Sequence, residues 1–594
     1  MALMKYPPSR EFSRRKVAEI ADVPQSTANR KLETLAKQGV IDVRPIEGGN
    51  THLVSINEDS PHYGELKSAF EKQRDKELED EKQKGTDSGQ TITLHVLESY
   101  LWQAADILRG SIDSSDYKSY IFGLLFLKRL SDRYEEEAEE LIEEGIPEKI
   151  AFDDEDLHTF YLPPRARWEH VQKQNRDIGA TINKAFEEVE NRNDTIENGV
   201  LTSIDFNDKE RLPDPVLEEL IVHFSQKSFR NENLADPDIF GRAYEYLIRQ
   251  FADDAGKKGG EFYTPRGVVQ ALVKILDPQP GMRVYDPCCG SGGMLIYSAS
   301  HIREDNGGSM EDISLYGQER NLNTWAIAEM NILLHNLPDA RIAKGDTMRE
   351  PKFLDNAGGL MVFDRVIANP MWNQKRWSKE FIKENQPFNR FPYGLPPKNS
   401  ADWAWVQHML ASLNQTGKMG VVLDNGVLFR SRSEGKIRRK ALEDDLVEAV
   451  IALPGNLFYN TSSPGCIMIL NKDKPEERRG RVLFIYAEDQ EARESGTLLY
   501  EELSNQNRLL DSGIEKIVET YQELAEEDHF SRLVGLEEIE ENDWNLNVPR
   551  YVDTTEPEEP IDVSEKRQEL QELEGKRDQI NTELNTFLEE LGYE

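Results

Sequence analysis

RVYDPCCGSGGMLI, residues 283–296, is the stretch whose reading decides the fold. It runs as a short strand ending at Asp286, a glycine-rich turn and the first turns of a helix. Such units open doubly wound sheets, where ligands bind beyond the carboxyl ends of the strands and glycines let them approach the backbone and the helix N-terminus. Gly290, Gly292 and Gly293 are placed for that role, and Ser291 lies between them. The spacing is not G-x-G-x-x-G, and the chain has no G-x-x-x-x-G-K-S/T, so neither a dinucleotide fingerprint nor a P-loop is supported.

Around this unit, short β-branched runs alternate with helical patterns from Glu261 onward, the texture of a parallel sheet covered by helices. Candidate strands are 282–286, 313–318, 341–345, 362–368, 419–423, 447–453 and 466–470, one seven-stranded α/β domain within residues 256–487. The second strand leads into Glu319, 33 residues after Asp286, where an acid is positioned to take both hydroxyls of an adenosine ribose. The third ends at Gly345-Asp346, within reach of the adenine amino group of the same ligand. ANPMWN closes the fourth. There the Asn369 side-chain oxygen and the Pro370 carbonyl can accept hydrogen bonds from an exocyclic amine, and Trp372 can stack on its ring.

Ahead of the sheet, residues 91–255 carry amphipathic helical patterns such as LHVLESYLWQAADILRG and YKSYIFGLLFLKRLSDRYEEE. Residues 58–90 are charged and poor in large apolar groups, a linker composition. Residues 1–57 read as helix, turn, helix and two short strands around Gly48-Gly49, which resembles a winged helix-turn-helix. Its local charge of +3, with Ser26, Thr27, Asn29, Arg30 and Lys31 on the second helix, suits DNA contact; protein contact or dimerisation is the other reading. Residues 488–594 read as an acidic helical region. They end in a heptad-like series, Val563, Leu570, Leu573, Ile580, Leu584, Phe587 and Leu591, that suits a coiled-coil partner.

Asp+Glu 110 outnumber Lys+Arg 72, and a net charge of −38 repels nucleic acid unless it is segregated. It is segregated: residues 488–594 hold 32 acids and 9 bases, residues 132–157 hold 13 and 2, and the rest of the chain carries only −4. The acidic regions are therefore expected to meet protein, and the near-neutral sheet to meet DNA. Cys288, Cys289 and Cys466 are the only cysteines, and neither a bilayer-length apolar run nor a signal core is present, so the expectation is a reducing, cytoplasmic protein without a membrane partner. No His/Cys spacing matches a zinc site, and no metal is expected. The basic segments QKRWSKEFIK and FRSRSEGKIRRK follow the fourth and fifth strands, either to neutralise DNA phosphates or as ordinary solvated loops.

The order EFYTPR, DPCCGSGG, GQERN, GDT, NPMW resembles the motif series of S-adenosylmethionine-dependent adenine N6 DNA methyltransferases. More narrowly, from about Thr91 to the C-terminus the chain is similar to the modification subunit of type I restriction enzymes, with GRAYEYLIRQFA, GQERNLNTWAIAEMNILLHN and LPGNLFYNTSSPGCIMILNK narrowing the match. The resemblance implies that Glu261, Phe262, Tyr263, Thr264, Pro265 and Arg266 cover the methionine end of S-adenosylmethionine. It implies that the glycine loop and Glu319 hold the rest, that Asp286 and Asp346 complete the cofactor set, and that Asn369, Pro370 and Trp372 receive a flipped adenine. Methyl transfer is then expected to be direct, with the acceptors of Asn369 and Pro370 drawing the N6 lone pair out of ring conjugation. Carbon-5 cytosine methylation would instead need a Cys nucleophile, and Cys288 sits inside the glycine turn.

Two departures from the family pattern stand out. Met371 occupies the place of a usual Pro, and the winged segment precedes the family's usual start. The implied partners are double-stranded DNA, a specificity subunit that grips two modification subunits, and a restriction subunit. No segment after the last sheet strand looks like a target-recognition domain, which puts sequence specificity in another polypeptide. The alternatives are methylation of RNA adenine or protein glutamine on the same fold, or a winged-helix regulator that only senses cofactor. The long helical region before the sheet and the intact Asn369, Pro370 and Trp372 weigh against them.

Overall fold

The computed structural model describes residues 12–13, 32, 36, 41–45, 52–56, 91–112, 114–193, 196, 198–235, 239, 243, 264–304, 308–309, 312–335, 337, 339–385, 387–458, 461–503, 506–555 and 563–590. Phe12–Ser13, Ile41–Pro45 and His52–Ile56 form an antiparallel sheet with His52–Ile56 in the middle and Val43 opposite Val54. The two longer strands fall where the wing hairpin is expected. Apart from Leu32 and Ala36, the helices of the winged motif lie outside the described residues, as does the linker 58–90.

A helical region follows, as expected. Helix α1 (Leu94–Leu108) starts at Thr93, whose hydroxyl accepts from the Val96 N–H, and buries Leu97, Tyr100, Leu101, Ala104, Ala105 and Leu108 along one stripe. Helices α2 (Ser114–Glu143) and α6 (Asp214–Ser225) pack against it, and α3 (Glu148–Asp153), α4 (Trp168–Gln172) and α5 (Ile178–Arg192) pack in turn on α2 and α6. At their centre the rings of Tyr100 and His223 stack at 4.0 Å, and burial pushes the His223 imidazole down to about 4, so it stays neutral.

The chain then builds one large sheet. Its strands are β1 (Arg283–Asp286), β2 (Ser314–Glu319), β3 (Arg341–Lys344), β4 (Phe363–Ala368), β5 (Leu413–Asp424), β6 (Val447–Ala452), β7 (Gly465–Asn471), β8 (Arg481–Tyr486) and β9 (Ser531–Gly535). The spatial order is β9-β8-β6-β7-β5-β4-β1-β2-β3. Neighbours β3, β2, β1, β4 and β5 run parallel, β7 runs antiparallel between β5 and β6, and β9 is antiparallel to β8.

All seven strands expected from the sequence are present, but the sheet has nine, which corrects the seven-stranded reading. Strand β8 lies beyond the expected set, and β9 comes from the region read as a helical tail. In β9 only Ser531 and Val534 are buried, too short an alternation to stand out from its acidic surroundings.

Helices cover both faces. On one lie α7 (Arg266–Leu276), α8 (Gly293–Glu304), α9 (Leu322–Leu334) and, from the C-terminal region, a helix spanning Asp511–Glu523; their core is continuous with that of α1–α6. On the other lie α10 (Asp402–Ala411) and α11 (Arg432–Glu443). Strand periodicity sorts the side chains: in β7, Ile467 and Ile469 join the first core while Cys466, Met468 and Leu470 join the second.

Helix α7 sits close against β5 because Gly420 has no side chain; a Cβ there would land on Leu272 Cδ1. Gly420→Ala is therefore expected to lower the unfolding free energy by about 1–3 kcal/mol, the usual cost of overpacking. Chemical denaturation checks this, and an unchanged midpoint would mean that Leu272 simply moves aside.

Candidate active site

Parallel pairing sets β1, β2, β3 and β4 side by side, so their carboxyl ends share one rim. On that rim stand Asp286, Glu319, Asp346 and Asn369, the strand-end residues expected from the sequence.

Asp286 is buried, and its Oδ1 accepts from the Cys288 N–H at 2.9 Å. Burial first, and the nearby Glu319 carboxylate second, push its carboxyl up to about 7. The turn that follows takes left-handed backbone at Gly290 (φ 55) and Gly292 (φ 80), and a Cβ on Gly290 would meet nothing within 4 Å. From α9, the Asn331 amide donates to the Ser291 carbonyl at 2.9 Å and fixes the loop from behind. Glu319 bridges two turns: its Oε2 accepts from the Gly290 N–H at 3.1 Å and its Oε1 from the Asn321 N–H at 2.7 Å. Asp346 Oδ1 accepts from the Met348 N–H at 3.1 Å, and its Oδ2 lies 3.6 Å from Arg320.

Asn369 is held from both sides. Its Nδ2 donates to Thr264 Oγ1 at 2.9 Å, and its Oδ1 accepts from the Trp372 indole N–H at 3.0 Å. The end of the EFYTPR motif thus touches the NPMW motif. Thr264, Pro265 and Arg266 are described; Glu261, Phe262 and Tyr263 lie outside the described residues. Pro370 is buried, and Met371 is 41% exposed on the rim.

Sequence reasoning missed two residues here. Phe458 meets Trp372 edge to face with centroids 4.7 Å apart, and Gly465 makes room for both, since a Cβ there would come within 2.7 Å of each ring. Its signal was the aromatic in GNLFYN, just before the last expected strand. Asn373 was the other: its N–H donates to Asp402 at 2.9 Å and its amide to Asp424 at 3.2 Å, contacts that no local pattern announces.

Burial pushes the thiols of Cys288 and Cys289 well up, so both stay protonated and neither is an activated nucleophile. Among the described residues no cluster of three or more His, Cys, Asp or Glu is set to hold a metal, and no helix is long and apolar enough to cross a membrane.

The basic segment after β5 divides in two. Arg430 pairs with Asp402 and Asp424, and the buried Arg438 donates to the carbonyls of Trp544, Val427 and Arg430, so both are structural. Arg432, Lys436, Arg439 and Lys440 are exposed, although Arg439 also pairs with Glu443.

The N-6 DNA Methylase family model matches residues 235–560, and the HsdM N-terminal domain model matches residues 97–224. The chain is 38% identical over 510 residues to the type I restriction enzyme MjaVII methylase subunit of Methanocaldococcus jannaschii, spanning 82% of each. To the HindI methylase subunit of Haemophilus influenzae it is 33% identical over 467 residues, 73% of this chain and all of that one. A solved type I restriction-modification methyltransferase subunit from Streptococcus thermophilus superposes with a TM-score of 0.68 at 32% identity, covering 78% of this chain and all of that one.

Because the Asp286 carboxyl titrates near 7 rather than at its ordinary 3.8, the folded chain favours its protonated form. The stability linked to that proton is full at acid pH, declines as pH rises, and is gone above about 7. Asp286→Asn keeps the shape without the charge. It should raise the thermal midpoint more at about pH 8 than at about pH 5.5, by a few degrees. Equal shifts at both pH values would mean that this carboxyl is not the source.

Proposed function

Because the chain belongs to the N-6 DNA methylase family and is a DNA adenine N6 methyltransferase of the type I restriction enzymes, we propose that the crevice along β1–β4 is its cofactor and adenine site. The observation that carries this reading is the Asn369 carboxamide. It is fixed at the end of β4, with Nδ2 donating to Thr264 and Oδ1 accepting from the indole N–H of Trp372, whose ring packs against Phe458.

The rim suits S-adenosylmethionine. Backbone at Gly290 and Gly292 leaves room for close approach, the Glu319 carboxylate suits a pair of ribose hydroxyls, and Asp346 suits an adenine amine. Asp286, unsettled by burial, gains a counter-charge from a cationic ligand, which draws its carboxyl back to the ionised form. When bound, the cofactor supplies an activated methyl group. Glu261 to Arg266 would cover its methionine end, with Thr264 also touching Asn369.

This chain's residues then prepare the amine. Asn369 Oδ1 and the Pro370 carbonyl accept the two N6 hydrogens, hold the nitrogen's lone pair toward the methyl, and stabilise the positive charge that develops on it. Trp372 and Phe458 wall the ring, replacing the stacking that the base loses on leaving the duplex. The exposed Arg432 and Lys436, in the first turns of α11 after the carboxyl end of β5, would meet phosphates of double-stranded DNA beside the same rim.

A specificity subunit would select the site and join two such chains, and a restriction subunit would complete the enzyme. Supporting a partner helix, Leu570, Leu573, Ile580 and Leu584 are exposed along the C-terminal helix Val563–Glu590.

Asn369→Ala is expected to lower the methylation rate about a hundredfold or more while S-adenosylmethionine still binds, measured by methyl incorporation and calorimetry. Undiminished incorporation would remove the proposed role. Ending the chain at Pro560 should abolish co-purification with the specificity subunit; retained co-purification would place the contact elsewhere.

A further inference from the structure

Met371 leaves the substrate loop without the ring constraint that a second Pro would give, yet the loop is anchored immediately downstream. Asn373 has left-handed backbone (φ 53), a conformation Asn tolerates, and uses it to reach two carboxylates at once. Its N–H donates to Asp402 Oδ1 at 2.9 Å, and its side-chain amide donates to Asp424 Oδ2 at 3.2 Å. Asp402 opens α10 and Asp424 ends β5, so the loop is tied to both the helix layer and the sheet.

The carboxylates are themselves locked. Arg430 donates to Asp402 Oδ2 at 2.9 Å and to Asp424, and stands 3.6 Å from Glu434, while Ser400 bonds Asp402 and Glu434 at 3.2 and 2.8 Å. Asp402 is fully buried, and Gly426 leaves the space that the Arg430 guanidinium fills. One residue on, Gln374 accepts from the Trp405 indole at 3.0 Å and adds a second tie to α10. A half-buried guanidinium bridging two carboxylates at short range holds geometry far better than an exposed ion pair.

We propose that Asn373, clamped between Asp402 and Asp424 and locked by Arg430, is a positioning residue that fixes the Asn369–Trp372 loop and supplies the stiffness that Met371 does not. The inference rests on Asn369 being the amine acceptor. In this arrangement Arg430, despite its basic neighbours, serves the loop and not DNA phosphate.

The test uses the chain assembled with its specificity subunit. Asn373→Gly keeps the left-handed backbone and the bond to Asp402 but deletes the bond to Asp424. It should lower kcat about tenfold or more, as small misplacements of reacting groups do, with the KM for S-adenosylmethionine and the thermal midpoint unchanged. Adding Met371→Pro to Asn373→Gly should restore at least about a third of the lost rate, because the ring supplies the stiffness directly. Unchanged kcat, a loss that Met371→Pro does not relieve, or a loss that tracks a lower thermal midpoint or weaker cofactor binding would each overturn the clamp. Asn369→Ala, run alongside, separates the two claims: if it remains active, the site assignment has failed, whereas if it is dead and Asn373→Gly is normal, only the clamp has.

Discussion

The constraint on which the site depends is the parallel pairing of β1, β2, β3 and β4. Opposing Asp286 to Gly317, and Glu319 to Lys344, keeps each strand-end residue within two positions of its neighbour's level, so residues far apart in sequence converge on one rim. A slip of one residue in any strand would reverse its inward and outward faces and turn the end residue away. In β1, β2 and β4 that register is held by two cores at once, since alternate residues are buried against opposite helix layers, while the edge strand β3 buries only Ile342. Precision at the rim therefore follows from burial on both faces, not from the hydrogen bonds of the turns alone.

The acidity of the chain takes on a different meaning in three dimensions. Much of the acidic run 132–157 is satisfied internally. Asp132 bonds Lys128 and the Phe229 N–H, Glu137 bonds Arg133 and Thr159, and Glu139 bonds Arg230. These acids staple α2 to the segments around it, so only part of the run is left as docking surface. The same conversion affects the basic run after β5, where Arg430 and Arg438 turn inward. A charge count along the sequence cannot see the longer-range part of this pairing, such as Asp132 with the Phe229 N–H and Glu139 with Arg230, because those partners lie more than 90 residues away.

Most of the seven expected strands were legible because they are short apolar runs bounded by turn residues, and the strand-end residues because glycine, acid and Asn-Pro signals sit immediately after the runs. What was illegible depended on long-range contacts. Ser531–Gly535 becomes a strand only because β8 offers an edge to pair with. Asn373 is an ordinary loop residue until α10 and β5 bring Asp402 and Asp424 to it. Thr264 reads in sequence as part of a cofactor cover, yet its hydroxyl accepts from the Asn369 amide, 105 residues away.

The reversed strand β7 explains how an aromatic from beyond the sheet's expected motifs joins the pocket. Being antiparallel, it presents its amino end at the rim where its neighbours present their carboxyl ends, with Gly465 opposite Asp424 and Cys466 opposite Ala452. The connection from β6 to β7 must therefore be a hairpin on the rim itself, and Phe458 lies in it. That hairpin is propped from outside: Gln506 donates to the Leu457 carbonyl at 2.6 Å, and Asn507 donates to the carbonyls of Asn456 and Gly455, both at 2.8 Å. These props belong to the acidic C-terminal region. The segment that sequence reading reserved for protein partners thus supports the wall of the pocket before its last helix turns to any partner, and its truncation would be expected to affect catalysis and assembly at different cut points.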